Sequence, residues 1–136
     1  MMGSKAYSQA IEKLRRAGMR PTSQRLALAK VLFENGNRHV TAESLYAEVR
    51  DSCIPISLAT VYNSLNQFTQ SGLLREIIVD SQRCYFDTNT ADHHHFFCEQ
   101  TNTLEDISCD DVILSKLPVA PDGKSITRVD VILRIS

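Results

Sequence analysis

Ser57-Leu58-Ala59-Thr60-Val61-Tyr62-Asn63-Ser64-Leu65-Asn66-Gln67-Phe68-Thr69-Gln70 is the stretch whose reading decides the fold. Leu58, Val61, Leu65 and Phe68 fall at i, i+3, i+7 and i+10, one face of a 3.6-residue repeat. Ser57 is a helix-capping residue and Ser71-Gly72 a stop. The apolar stripe must face a core, so the opposite face presents Ala59, Thr60, Asn63 and Gln67, with Tyr62 on its flank. That face is polar yet uncharged, whereas a helix meeting only solvent usually carries Lys and Glu pairs. Amides, hydroxyls and a small methyl are what base edges and thymine methyls accept in the major groove of DNA. Periodicity by itself also fits a helix packed in some other helical domain.

Three further helices are expected before this one. Tyr7, Ile11 and Leu14 recur at helical spacing from Lys5 to Ala17, and Gly18 fits a C-terminal cap. Arg20-Pro21-Thr22-Ser23 starts a second helix with Leu28, Val31 and Leu32 as its stripe, stopped by Asn35-Gly36-Asn37. Thr41 caps a third, holding Leu45 and Val49, with Glu43 well placed in its first turn. Ile54-Pro55-Ile56 is an extended link.

After the decisive helix, Leu74–Asp80 and Cys84–Asp87 read as strands separated only by Ser81-Gln82-Arg83, a hairpin. Four helices and a hairpin are the order of a winged helix-turn-helix domain with one extra leading helix. Residues 88–92 have linker composition. Beyond them, His95–Glu99 and Thr103–Ile107 pair as strands. Ser108-x-x-Asp111 announces a helix over Val112–Leu117, stopped by Pro118. Residues 126–135 alternate, with Thr127, Val129, Val131, Leu133 and Ile135 on one face, a half-buried strand. The expected class is therefore α+β: a winged-helix DNA-binding domain over 1–87, a hinge at 88–92, and a small α/β dimerisation and ligand-sensing domain over 93–136. Dimerisation is expected because a helix-turn-helix usually reads two half-sites. The alternative is a C-terminal unit that packs on the first.

Composition supports a globular chain: 43% hydrophobic and 23% charged over 136 residues. No apolar run approaches the ~20 residues that cross a bilayer. Met1-Met2-Gly3-Ser4-Lys5 leads into a polar helix, so neither a membrane partner nor a secretory signal is expected. Part of Met1–Ser4 reads as a cloning remnant. Cys53, Cys84, Cys98 and Cys109 show no C-x-x-C spacing, which predicts neither a disulfide framework nor a structural four-cysteine zinc. Each reads as a small core residue in reducing cytoplasm. The net charge of −1 hides an asymmetry. Residues 1–30 hold seven Lys/Arg and one acid, residues 81–136 five basic and nine acidic groups. The basic end suits phosphates, with Arg20, Arg25 and the first helix supplying affinity rather than sequence choice.

Three of the four histidines are consecutive, His93-His94-His95. In extended chain, His93 and His95 share a face and His94 points away. His93 and His95 can join a metal site between the domains, or one of the three can ligate haem iron. Asp87, Asp92 and Asp106 lie nearby in sequence, and His39 precedes the third helix. A His/carboxylate mixture suits Mn, Fe, Zn or Co. A metal-dependent hydrolase would need an open coordination site and a placed base. No H-E-x-x-H constellation is present.

Leu14-x-x-Ala17-Gly18-x-Arg20-x-Thr22-x-x-Arg25, His39-Val40-x-Ala42-Glu43-x-Leu45-Tyr46 and Leu58-Ala59-Thr60-Val61-Tyr62-x-x-Leu65 together resemble the ferric uptake regulator family. Tyr85-Phe86-Asp87 and the histidine run extend the match over roughly residues 8–107. The resemblance implies a cytoplasmic homodimer, not an enzyme, that binds a double-stranded DNA operator and regulates transcription by metal status. It makes Tyr62 a base-region contact and Arg20 a minor-groove residue. With Arg25, Ser57, Ala59, Thr60 and Asn63, these are the expected DNA-binding residues. His39, Asp87, His93 and His95 fall on the family's inter-domain metal site, and Asp106 on a further carboxylate ligand. His94 stands where an aspartate of a second metal site is common. The first family C-x-x-C falls on Cys98 and Thr101 and no second pair follows.

These departures resemble the iron response regulator branch, as does Leu117-Pro118-x-x-Pro121-x-Gly123-x-x-Ile126-x-Arg128-Val129-Asp130-Val131. That branch implies haem at the histidine triplet, and haem or a haem-synthesis enzyme as partner. Its Cys-Pro motif is lacking, since Cys53 precedes Ile54. A peroxide sensor of the same fold, in which bound iron oxidises a ligand histidine, is the alternative.

Overall fold

Three hydroxyl side chains set the starts of three helices. A computed structural model describes the backbone of residues 2–136 and the side chains of residues 5–136. In it Thr22 caps α2 (Ser23–Phe33), Thr41 caps α3 (Ala42–Val49) and Ser57 caps α4 (Leu58–Gln70). Each capping oxygen accepts the amide N–H three residues on, from Arg25, Ser44 and Thr60, satisfying a donor that helix geometry leaves orphaned. At α3 the Ser44 hydroxyl accepts from the Thr41 amide in return, at 3.0 Å. α1 (Met2–Arg16) precedes them. α1 and α4 both end on left-handed glycines, Gly18 (φ 75°) and Gly72 (φ 88°). There Met19 N–H reaches the Leu14 carbonyl and Leu73 N–H the Phe68 carbonyl, a closure that needs a positive φ.

The helices are followed by β2 (Arg75–Ile78) and β3 (Cys84–Asp87), antiparallel in the expected hairpin. A strand that the sequence did not announce, β1 (His39–Val40), pairs antiparallel on the other side of β3, giving the order β1-β3-β2. Two residues are too few for an alternation to register. Leu14, Leu28, Leu32, Leu45, Val61, Leu65, Phe68 and Phe86 meet in one core with Val40 and Ala42. In α1 the inward residues are Ala10 and Leu14, whereas Tyr7, expected on the buried stripe, is exposed.

The chain divides into two compact units, Met1–Thr90 and Ala91–Ser136. The second is a sheet of order β5-β4-β6, built from β4 (His94–Cys98), β5 (Thr103–Ile107) and β6 (Ile132–Ile135). β4 and β5 are antiparallel, as expected, and β6 runs parallel to β4.

Two expectations for this unit are corrected. Ser108 caps only a 3₁₀ turn, Cys109–Asp111, and Val112–Leu117 forms no helix. Six residues before a proline, opening with β-branched Val112 and Ile113, cannot offset helix nucleation unless a face is covered, and Ile113 is 86% exposed. The final strand starts at Ile132, not at 126, and Leu133 and Ile135 remain exposed. Of the cysteines, half-buried Cys84 packs against the core, whereas Cys53 and Cys109 are exposed and Cys98 is half-buried outside that core; all four are free thiols.

Leu65→Ala in the helical core is expected to lower unfolding free energy by about 2–5 kcal/mol. Asn63→Ala on the opposite face of the same helix should stay within about 0.5 kcal/mol. Urea denaturation followed by circular dichroism distinguishes them, and equal losses would contradict the assigned faces.

Candidate functional site

The uncharged face of α4 borders a groove lined by Arg20, Thr22, Gln24, Arg25, Thr60, Asn63, Ser64 and Gln67. Thr60, Asn63 and Gln67 come from one face of α4, Arg25 from the first turn of α2 and Arg20 from the connection before it. Arg25 is half-buried and tied down: Nη1 donates to the Arg20 carbonyl at 3.0 Å and Nη2 to Gln67 Oε1 at 3.2 Å. Arg20 is exposed. Ala59 is exposed near the helix start, outside that groove. Ser57 spends its hydroxyl on the cap, donating to Thr60 Oγ1 at 3.0 Å while accepting the Thr60 amide at 3.1 Å. Within α1, Lys13 lies over the Phe33 ring and Arg16 pairs with Glu12.

Tyr62 stands 41% exposed on the flank, and its hydroxyl donates to the Glu43 carboxylate. That bond, with burial and the carboxylate's charge behind it, pushes the Tyr62 pKa up. The phenol therefore stays protonated and able to donate.

Cross-strand pairing builds a first set of groups that could act as metal donors. His39 is the direct partner of Asp87 across β1–β3, and His39 Nε2 lies 3.1 Å from Asp87 Oδ2. Asp87 is fully buried, and its Oδ1 accepts the Asn89 amide at 2.9 Å. Oδ2 is thus the oxygen turned to the imidazole.

The second unit builds its own set. His95 is the direct partner of Asp106 across β4–β5, and His93 shares the face of His95 two residues earlier. His93 Nε2 lies 3.3 Å and His95 Nε2 3.4 Å from the same oxygen, Asp106 Oδ1. The donor atoms of these three residues all lie within 4.8 Å of one another. His93 Nδ1 sits 2.6 Å from the Ala91 carbonyl, which can only accept. Nδ1 therefore carries the ring proton, and the lone pair of neutral His93 is on Nε2, facing the carboxylate. Two acceptors at that distance repel unless a cation or a proton lies between them. A divalent cation satisfies all three donors, and nitrogen with carboxylate oxygen suits Mn, Fe or Zn.

His94 is on the opposite strand face, paired with Ile107. Its Nδ1 accepts the Val131 amide at 3.1 Å, so its lone pair is engaged and its Nε2 bears the proton. The sequence-predicted metal residues thus fall into His39 with Asp87 in one unit, and His93, His95 and Asp106 in the other, with His94 outside both sets. Arg75 and Glu43 went unnoticed as site neighbours, because strand register and helix contacts, which place them, leave no mark in a linear pattern.

Cys98 and Thr101 occupy the spacing of a metal-binding cysteine pair. Here hydrogen bonds from the Thr101 side chain and backbone and from the Gln100 backbone hold the Cys98 thiol below its ordinary pKa. Burial beside the Glu76 carboxylate pushes the Cys84 thiol up to about 12.

A winged-helix head carrying an uncharged reading helix, followed by a sheet unit that gathers His and Asp donors, defines a metal-responsive DNA-binding regulator. The sequence profile described as ferric uptake regulator family matches residues 16–133, and this chain belongs to that family. It is 35% identical over 105 residues to the peroxide operon regulator of Bacillus subtilis (strain 168), covering 77% of this chain and 72% of that protein. It is 36% identical over 98 residues to the peroxide-responsive repressor PerR of Staphylococcus aureus (strain USA300), covering 72% and 66%. The ferric uptake regulator of Pseudomonas aeruginosa with manganese shares the fold, with a TM-score of 0.70 at 24% identity over 93% of this chain and 96% of that one. Family membership makes the chain a transcription regulator, not an enzyme, which removes the hydrolase reading. No helix among the described residues is long and apolar enough to cross a membrane.

Thiol chemistry should follow the two cysteine environments. At pH 8 a pKa near 12 leaves ~1 in 10⁴ of Cys84 as thiolate, the reactive form. Iodoacetamide should therefore label Cys98 at least tenfold faster than Cys84 in timed peptide mapping. Equal rates would contradict the hydrogen bonds drawn to Cys98.

Proposed function

We propose that the chain is a metal-dependent repressor that binds operator DNA as a homodimer and releases it on exposure to peroxide. The observation that carries the metal dependence is the convergence of His93 Nε2 and His95 Nε2 on one Asp106 oxygen. These three residues would hold one Mn, Fe or Zn ion in the second unit, and His39 with Asp87 offers a further His/Asp donor pair in the first. An ion with a ~100-fold preference for the DNA-competent arrangement of the reading heads contributes about 2.7 kcal/mol, enough to switch occupancy. Ala59, Thr60 and Asn63 face base edges, and Tyr62 donates to a base or a phosphate. Arg20 and Arg25 take the backbone, Arg20 from the minor groove, while Ser57 fixes the helix end. Homodimerisation is supported by the exposed apolar side chains of the second unit, among them Ile113, Leu117, Val119 and Leu133.

Peroxide is favoured over an iron or haem signal because both relatives named above are peroxide regulators. Ferrous iron held by the His/Asp donors would cleave the O–O bond of peroxide, so that one oxygen enters a ring C–H bond of a ligand imidazole as C–OH and the other leaves as water. The chain holds His39, His93 and His95 at hand and, through Ala91, fixes the tautomer of His93. Haem at the triplet is disfavoured, since His94 has no lone pair to give while it accepts from Val131, and the buried His93 and His95 turn their Nε2 atoms onto Asp106 Oδ1. Haem and a haem-synthesis enzyme are therefore not partners in this reading.

Fluorescence anisotropy with operator DNA tests the metal control. Binding is expected with Mn(II), loss of binding with EDTA, and at least ~10-fold weaker Mn(II) binding in His93→Ala. Equal DNA affinity with and without metal would overturn it.

Peroxide sensing has its own readout. With Fe(II) and hydrogen peroxide, a peptide containing His39 or His93–His95 should gain one oxygen by mass as DNA is released. Unmodified histidines on DNA-bound protein would refute peroxide sensing and leave metal control standing.

A further inference from the structure

Among the described residues, the buried members of the Asp, Glu, Lys and Arg class are Arg75 and Asp87, 5% and 0% exposed. They carry opposite charges and are direct partners across β2–β3, as His39 and Asp87 are across β1–β3. Directly opposed residues of antiparallel strands share a sheet face. Imidazole, carboxylate and guanidinium thus form one cross-strand row, with Asp87 in the middle. The Asp87 oxygens are already distinguished. Oδ2 faces His39 Nε2 at 3.1 Å, and Oδ1 accepts the Asn89 amide at 2.9 Å.

A carboxylate and a guanidinium withdrawn from water are tolerated when each answers the other. We propose that Arg75 is a positioning residue of the metal centre: from the β2 side its guanidinium fixes the Asp87 carboxylate and leaves Oδ2 on the His39 side for a divalent cation. The inference rests on the reading of Asp87 as a metal ligand. Outer groups that orient a ligating carboxylate govern affinity nearly as strongly as the ligands. The planar guanidinium fork matches a carboxylate in a way a lysine ammonium does not.

The test uses the full chain and Mn(II) alone, titrated calorimetrically, with Arg75→Met, Arg75→Lys and Asp87→Asn. Arg75→Met is expected to weaken Mn(II) binding ~10- to 100-fold, with partial recovery in Arg75→Lys. A second measurement is thermal melting in EDTA, with the double variant Arg75→Met/Asp87→Asn added. The double variant leaves neither buried charge unmatched, so it should melt above Arg75→Met, a non-additive result that a structural role apart from Asp87 would not give. Mn(II) affinity within twofold of wild type in Arg75→Met, or additive melting losses, overturns the inference. If Asp87→Asn binds Mn(II) as well as wild type, the ligand reading falls and the inference with it. If Asp87→Asn is impaired but melting is additive, the inference alone falls.

Discussion

The pairing of His39–Val40 with Phe86–Asp87 is the constraint on which the first unit depends. It is a two-residue strand, yet it joins the connection between α2 and α3 to the second strand of the hairpin. The ladder continues past it, since Thr88 N–H donates to the Arg38 carbonyl at 3.1 Å and its hydroxyl accepts the Arg38 amide at 2.8 Å. Arg38 then forks its guanidinium onto the two Glu48 oxygens of α3, at 2.9 and 2.6 Å. Sheet, hairpin and helix are locked at one point. The same register sets the half-buried His39 imidazole against the fully buried Asp87 carboxylate, so a His/Asp pair that could hold a cation is a consequence of closing the fold.

In the proposed function, affinity and sequence choice fall to different chemistry. Arg20, just before α2, and Arg25, in its first turn, carry charge, and Arg25 is held by bonds to the Arg20 carbonyl and to Gln67. The adjoining α4 face offers amide and hydroxyl groups only. Tyr62 is steered by Glu43, a carboxylate in the first turn of α3 that also favours that helix's positive end. One acidic group thus serves helix stability and the posture of an exposed phenol.

In the second unit, two neighbouring histidines are made chemically different by what each Nδ1 touches. His93 donates to a carbonyl and keeps a lone pair on Nε2, while His94 accepts an amide and has none to give. Strand alternation puts them on opposite faces, and hydrogen bonding then fixes their roles. The rest of the unit has little regular secondary structure, with a long irregular segment between the 3₁₀ turn and β6. Local preference does not impose a helix there while its apolar side chains stay uncovered.

By itself the sequence determined the four helices, the hydroxyl caps Thr41 and Ser57, the hairpin, the β4–β5 pair and the uncharged face of α4. These follow from local signals: a capping residue three positions before the amide it binds, an apolar residue every third or fourth position, a turn between alternating runs. Alternation alone also separated His94 from His93 and His95. Tertiary structure decided β1, the row His39–Asp87–Arg75, the Tyr62–Glu43 bond and the meeting of two imidazoles on one Asp106 oxygen. It also withheld the helix expected at Val112–Leu117 and shortened the last strand. The reason is the same in each case. Register between distant strands, and the covering of an apolar face, are properties of which segments meet, and a period read along one segment carries no information about its partner.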